Sequence, residues 1–300
     1  DMIGKLASKP ILNDVVNWGV QSKTVRKALD KTLDIHEAAT LPTYQKETGR
    51  TRIKKSSFNR DGASNLQEEA SQQSVALFTT CYCNYNEPSI IESLTKILKH
   101  NEIPVKLLER EHCCGMPKLE LGDLQSVTRL KELNIPPLFD AVQRGAKIVA
   151  PIPSCVLMYK QELPLLFPEN KELSLVSKAF RDPFEFLNIL NNEGTLNKDF
   201  STELGDVSYQ VACHQRVQNI GMLTKKILEL VPGTTVNAIE RCSGHDGTYG
   251  VKAETHEIAI KIAKPIIKQF KSSNFDSFTS DCSLAAHHIE NSLGNMQAPE

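Results

Sequence analysis

The sequence predicts an α/β protein of two tandem, pseudo-symmetric units, each a small parallel sheet flanked by helices, behind an N-terminal helical arm. Three observations predict it. From residue 74 onward, short apolar runs alternate with helical patterns, and strand–helix alternation with short connections gives parallel sheets covered by helices. The cysteines repeat: Cys81, Cys113-Cys114-Gly115 and Cys155 are echoed by Cys213, Cys242-Ser243-Gly244 and Cys282, at offsets of 132, 129 and 127 residues. Seven of the eight cysteines fit this template and only Cys83 lies off it, which is the mark of an internal duplication. Finally, a 40% hydrophobic fraction over 300 residues is ordinary for a globular chain and enough to bury sizeable cores. The expected divisions are an arm and polar linker over 1–73, a first unit over 74–165, a connecting segment over 166–206 and a second unit over 207–300.

The elements follow in order. Residues 12–40 carry Val15, Val16, Trp18, Val20, Val25, Leu29 and Leu33 at helical spacing, which predicts one or two helices packed on the body. Residues 41–73 are polar and read as a linker. Ser74–Thr80 reads as a buried strand ending at Cys81. Pro88–His100 reads as a helix started by Glu87-Pro88. Val105–Leu108 is a short strand, and Asp123 caps a helix running towards Arg144. Lys147–Ala150 is the third strand, and Pro151–Ser154 delivers Cys155 to a helix start. The connecting segment holds a helix near Pro183–Leu190. In the second unit the predicted strands are Ser208–Val211, Thr235–Ile239 and Phe275–Thr279. Its predicted helices are Arg216–Leu230, Lys252–Lys271 and Ser283–Leu293. Every cysteine loop follows a strand, so each set of cysteines converges at the carboxyl edge of its sheet, where such sheets bind ligands.

Charge and composition exclude several classes. The net charge is −1, and the basic residues cluster once, in Lys46-to-Arg60, without interleaved aromatics, so nucleic-acid binding is not expected. That basic strip reads as a solvated flexible segment, with a docking strip for a partner or a membrane surface as the other reading. No apolar run approaches the roughly 20 residues of a membrane span, and no signal peptide is visible. The expected location is cytoplasmic, or peripheral to the inner face of the membrane through partners. Eight cysteines are too few for a disulfide scaffold, and a bridge between adjacent Cys113 and Cys114 would be strained, so reduced thiols are expected. The sequence starts at Asp1, as a fragment or processed product would.

Thiolates brought together from three separated loops suit a metal or iron–sulfur site. The first set supplies Cys81, Cys113, Cys114 and Cys155, with Cys83 as a possible extra ligand. Four thiolates are the usual complement of an iron–sulfur cluster. The second set is thinner: Cys213, Cys242 and Cys282 remain, and Ser243 stands where the first copy has Cys114. His245 is a possible extra ligand, with Asp246 beside it and His287-His288 one turn after Cys282. Three thiolates and one histidine suit either a cluster or Zn²⁺. His36, His100 and His256 read as ordinary surface or core residues.

The motifs Cys81-Tyr82-Cys83-Asn84-Tyr85-Asn86-Glu87-Pro88, His112-Cys113-Cys114-Gly115-Met116-Pro117, Pro153-Ser154-Cys155, Ala212-Cys213-His214 and Arg241-Cys242-Ser243-Gly244-His245-Asp246-Gly247 stand in order along residues 74–293. In them the chain resembles the CCG-domain (cysteine-rich domain) iron–sulfur oxidoreductases, the family of the iron–sulfur C subunit of anaerobic glycerol-3-phosphate dehydrogenase and of the B/D-type subunits of heterodisulfide reductase. The resemblance implies tandem CCG domains holding [4Fe–4S]-type clusters, cubane or non-cubane. It also implies electron transfer from a flavoprotein, ferredoxin-type or thiol donor to a quinone or disulfide acceptor. Relatives of the glycerol-3-phosphate type carry a ferredoxin module with CxxC runs, and this sequence contains no such runs. The family pattern closes each copy with CxxC, whereas here the closing position, three residues after Cys155 and Cys282, holds Met158 and Ala285.

The expectation is therefore an iron–sulfur electron-transfer subunit of an anaerobic-type dehydrogenase or reductase. It would carry a [4Fe–4S]-type cluster in the first copy and a second iron–sulfur cluster or zinc in the second. Two other readings stand beside it. One is a zinc-binding structural or assembly subunit, in which thiolates hold the fold. The other is a thiol–disulfide oxidoreductase using Cys113 or Cys114 as nucleophile.

Overall fold

The structure, a computed structural model, describes residues 2–56 and 74–293. Residues 57–73 of the expected linker, including the end of the basic strip, lie outside the described residues. The chain divides into two compact units, Asp1–Pro10 with Tyr44–Asn197, and Ile11–Thr43 with Lys198–Glu300. The architecture is mixed α/β with two small, all-parallel sheets.

In the first unit, β1 (Val75–Leu77) lies between β2 (Val105–Leu107) and β3 (Lys147–Val149), with β4 (Phe180–Arg181) outside β3. Val75 stands opposite Val105 on one side and Lys147 on the other. All three β1 residues are buried, as expected of a parallel strand covered on both faces. The Pro88–His100 helix starts as predicted, with Pro88 in its first turn, and buries Ile91, Leu94 and Leu98 at helical spacing. The Leu124–Gln143 helix is capped by Asp123, whose Oδ1 accepts from the Ser126 N–H at 3.1 Å. The fourth strand comes from the connecting segment and is only two residues long, too short for any periodic signal. It matters because Phe180 joins Phe78 and Tyr159 in a fully buried aromatic cluster. Tyr159 stacks on Phe180 at 4.6 Å and meets Phe78 edge-on at 5.3 Å. Removing each such side chain from water contributes roughly 1.5–3 kcal/mol.

In the second unit, β5 (Gly205–Gln210) lies between β6 (Thr234–Ile239) and β7 (Ser277–Ser280), all parallel. Ile239, Ile266, Phe270, Phe278 and Ile289 pack as one core cluster on this sheet. The Ser283–Leu293 helix falls where it was predicted. Two other helices differ. The predicted Arg216–Leu230 helix is split into Cys213–Arg216 and Leu223–Leu228, because Asn219 and Gly221 take left-handed backbone between them, at φ 54° and 78°. The predicted Lys252 start moves to His256, because residues 251–253 pair instead with 34–36. His36 N–H donates to Val251 O and Ala253 N–H to Asp34 O, both at 2.9 Å.

The arm forms three helices, Met2–Ala7, Pro10–Gln21 and Lys23–Leu33. Its apolar positions are not uniformly packed: Val15, Trp18 and Leu33 are 60%, 65% and 63% exposed. The following turn is held by a polar anchor. The buried Arg26 guanidinium donates to Glu37 O at 3.1 Å and His36 O at 2.9 Å. The stretch read as linker contains a further helix, Gly49–Lys55, capped by Thr48. Among the described residues no helix is long and apolar enough to cross a membrane.

Candidate metal centre

The first set of cysteines is positioned by the ends of β1 and β3 and by the loop after β2. Cys81 opens the Cys81–Tyr85 helix. Thr80 before it has φ 61° and ψ 152°, a conformation β-branched residues rarely adopt and one that persists at functional sites when neighbours enforce it. The enforcement is visible. Thr80 Oγ1 accepts from Cys83 N–H at 3.3 Å. One residue earlier, Thr79 donates through its N–H and hydroxyl to the Glu111 carboxylate at 2.8–2.9 Å. Glu111 also pairs with Arg50 at 3.2 Å, and burial pushes its pKa up against the opposing pull of Arg50. Arg50 reaches further, to Leu108 O through its guanidinium and to Asn84 Oδ1 through its N–H at 3.0 Å. The Gly49–Lys55 helix therefore bolts the Cys81 helix to the loop that carries Cys113.

That loop is clamped from the other side by buried Asn134. Its Oδ1 accepts from His112 N–H at 2.9 Å, and its Nδ2 donates to Cys113 O at 3.0 Å. Gly115 at φ 97° turns the chain into the Met116–Glu120 helix. The outcome is a string of thiols from three loops. Cys81 and Cys113 sulfurs are 4.0 Å apart, Cys113 interacts with Cys114, and Cys114 with Cys155. Hydrogen bonds from Cys114 and Cys81 and from the Gly115 N–H hold Cys113 as the thiolate, while Cys81 and Cys114 are pushed above the usual thiol range as its donors. Cys83 is buried beneath this string and pushed up by burial. A cleft of about 320 Å³ opens beside Cys81, with Lys5, Arg50, Arg110 and His112 among its walls.

The second set is built the same way with other residues. Gln210 at the end of β5 donates to Val211 O at 2.9 Å and Arg241 O at 3.1 Å and accepts from Ser280 Oγ at 2.6 Å. Ser280 Oγ in turn accepts from Cys282 N–H at 3.2 Å, so one side chain links all three cysteine loops. Asp281 is half-buried and accepts from Thr224 Oγ1 at 2.6 Å, from the Tyr209 hydroxyl and from Ala212 N–H. Burial pushes its carboxyl up. Cys213 and Cys242 are exposed neighbours, and Gly244 N–H donates to Cys242 Sγ at 3.4 Å. Cys282 is pushed up to about 11 by burial, with the Ala285 and Leu284 N–H groups opposing. Ser243, in the place of Cys114, turns inward and accepts from His245 N–H at 3.2 Å.

His245 stands three residues after Cys242, and burial together with His288 lowers it to about 4. The two rings are 6.2 Å apart. His288 is lowered by burial too, and its Nε2 is buried without a hydrogen-bond partner among the described residues. Both are therefore neutral at pH 7, the form that binds metals. His287 pairs with Glu290. His256 is a core residue, stacked on His36 at 4.0 Å and donating through Nδ1 to Gly250 O.

None of the eight cysteines is in a disulfide. Among the described residues no three His, Cys, Asp or Glu side chains converge to hold one metal ion. A cluster makes a different demand, one thiolate for each iron of a cage. Four clustered, partly ionised thiols have the donor chemistry for it, and N–H donors and an unpartnered buried hydroxyl on Tyr159 nearby suit an anionic, sulfur-rich occupant. Glu111, Asn134, Arg50, Gln210 and Asp281 were not identified from sequence. For Gln210 and Asp281 a signal existed, a polar residue at the buried end of a strand leading into a cysteine.

The profile of the cysteine-rich domain, CCG, matches residues 75–160 and 207–290. The chain belongs to the CCG cysteine-rich domain family. The C subunit of the anaerobic glycerol-3-phosphate dehydrogenase of Escherichia coli K12 is 28% identical over 298 residues, covering 97% of this chain and 70% of that protein. The B subunit of the fumarate reductase (CoM/CoB) of Methanothermobacter marburgensis is 26% identical over 73% of the chain and 42% of its own length. The D subunit of the dihydromethanophenazine:CoB–CoM heterodisulfide reductase of Methanosarcina acetivorans is 23% identical over 76% of the chain and 56% of its own length. Each is named as one component of a dehydrogenase or reductase, and the two CCG copies in this chain fall on its two sheets.

Proposed function

We propose that this CCG protein is the iron–sulfur electron-transfer subunit of an anaerobic-type dehydrogenase or reductase. The observation that carries the reading is the thiol string Cys81–Cys113–Cys114–Cys155 at the carboxyl edge of a parallel sheet. In this reading those four residues hold a [4Fe–4S]-type cluster, and Cys213, Cys242 and Cys282, with His245 in reach, hold a second cluster or zinc. A bound cluster supplies one-electron storage. The protein's part is to fix the sulfurs, through Glu111 and Asn134 in the first unit and Gln210 and Asp281 in the second, and to keep water from Cys114 and Cys155. No acid–base machinery is required. A flavoprotein or ferredoxin-type subunit is the proposed donor and a quinone or disulfide the proposed acceptor. Membrane contact, where it occurs, runs through partners.

The test is iron, zinc and acid-labile sulfide per chain in anaerobically purified protein, with EPR of the reduced sample. About eight irons with matching sulfide indicate clusters in both copies, and about four indicate one. Zinc without sulfide transfers the protein to the structural reading. Cys114→Ser should lose first-unit iron and its EPR signal, and full retention of both would sink the proposal.

A further inference from the structure

One polar atom of the first unit has no role in the network that positions the cysteines. Tyr159 is fully buried, yet its hydroxyl has no hydrogen-bond partner among the described residues. An unmade buried hydrogen bond costs about 1–3 kcal/mol, and phenylalanine would fill the same space without that cost. The ring does not swing free, because Phe180 stacks on it at 4.6 Å and Phe78 meets its edge. Tyr159 belongs to a single π-turn, Met158–Glu162, directly after the helix carrying Cys155, and such turns recur at functional sites. The turn also abuts the Cys113-Cys114-Gly115 loop, since Met158 Cε lies 3.4 Å from where a Cβ on Gly115 would sit.

We propose that the Tyr159 hydroxyl donates a hydrogen bond to the sulfur-rich group held by Cys113, Cys114 and Cys155, and so raises its reduction potential. This rests on the electron-transfer reading. An O–H donor is worth more to a sulfur set that has gained an electron, so it favours the reduced state. The phenol stays protonated, because burial and the nearby Cys114 and Cys155 sulfurs push its pKa well above the usual range. Its place four residues after Cys155, beside Met158 at the Gly115 turn, also separates it from the structural aromatic residues around it, Phe78 and Phe180, which have no polar atom to offer.

The experiment compares wild-type and Tyr159→Phe chains, both reconstituted anaerobically, by iron content, EPR-monitored redox titration and deuteron ENDOR after exchange into D₂O. The expected result is equal iron, a more negative potential and loss of one exchangeable deuteron coupling. Equal iron with unchanged potential and unchanged coupling overturns the inference while leaving the electron-transfer reading intact. If the Phe variant fails to hold iron, 3-fluorotyrosine at 159 keeps the shape and strengthens the donor. A positive shift in potential then supports the inference, and no shift overturns it. A wild-type chain without iron and sulfide overturns the electron-transfer reading, and this inference falls with it.

Discussion

Two glycines make the cysteine turns. Gly115 and Gly244 have φ of 97° and 81°, where an L-residue costs roughly 1–2 kcal/mol. Their surroundings differ. A Cβ on Gly115 would find Met158 Cε at 3.4 Å, whereas on Gly244 it would collide with the backbone oxygen of Ala259. Gly244→Ala should therefore lower stability by about 3 kcal/mol or more, adding overpacking to backbone strain. Gly115→Ala should cost only the backbone part, and equal urea midpoints for the two variants would refute the distinction. His245 gives a pH prediction for the metal-free chain. Burial lowers its folded-state pKa to about 4 from an unfolded value near 6.5. The unfolded state then binds more protons between those values, so stability falls as pH drops from 6.5 towards 4, by up to about 3 kcal/mol. His245→Asn should flatten that slope in urea melts across the range, and an unchanged slope would refute the assignment. At this scale the cysteine groupings were legible, because seven positions repeat. Glu111 and Asn134 were not, because a buried hydrogen-bonding role exists only once distant segments meet, whereas Gln210 and Asp281 carried a faint mark as polar residues at strand ends leading into a cysteine.

The elements show the same division between local and tertiary information. Pro88–His100, Leu124–Gln143 and Ser283–Leu293 carry their caps or apolar stripes in sequence and form where those marks lie. The Gly49–Lys55 helix offers one buried apolar side chain, Ile53, so its polar sequence reads as linker. Its stability comes from Thr48 and from Arg50's contacts with the cysteine loops. Arg50→Met strands the Glu111 carboxylate in a buried place and should cost about 3–5 kcal/mol, with reduced iron retention after desalting. A loss below about 1 kcal/mol would show that the pair behaves as a surface salt bridge. The helix after β4 is fixed locally, by a capping box in which Asp182 accepts from Phe184 and Glu185 N–H groups. Asp182→Ala should cost about 1–2 kcal/mol and leave iron content alone, which separates loss of fold stability from loss of the site.

At the scale of the whole chain, a duplicated α/β unit has diverged by what fills its sheet edge. Each unit has its own parallel sheet and its own tether across the cysteine loops, Glu111 and Asn134 in one, Gln210 and Asp281 in the other. Within the cysteine template the two copies differ at Cys114 against Ser243. In the first unit the sulfur of Cys114 joins Cys113 to Cys155. In the second, Ser243 is buried and its oxygen is spent on the His245 N–H, so the thiol set stops at three. If the second unit is a weakened copy of the first, restoring the missing sulfur should restore iron. Ser243→Cys changes one atom at a buried position beside Gly244, in a backbone the first copy shows to accept cysteine. The expected outcome is a gain of up to about four irons and matching sulfide per chain over a background in which Cys155→Ser has emptied the first unit. Cys282→Ser in the same background should abolish the gain. If Ser243→Cys adds no iron, or if zinc bound by the unsubstituted second unit persists unchanged, then the serine and the neutral His245–His288 pair belong to a different ligand set rather than to a decayed cluster site.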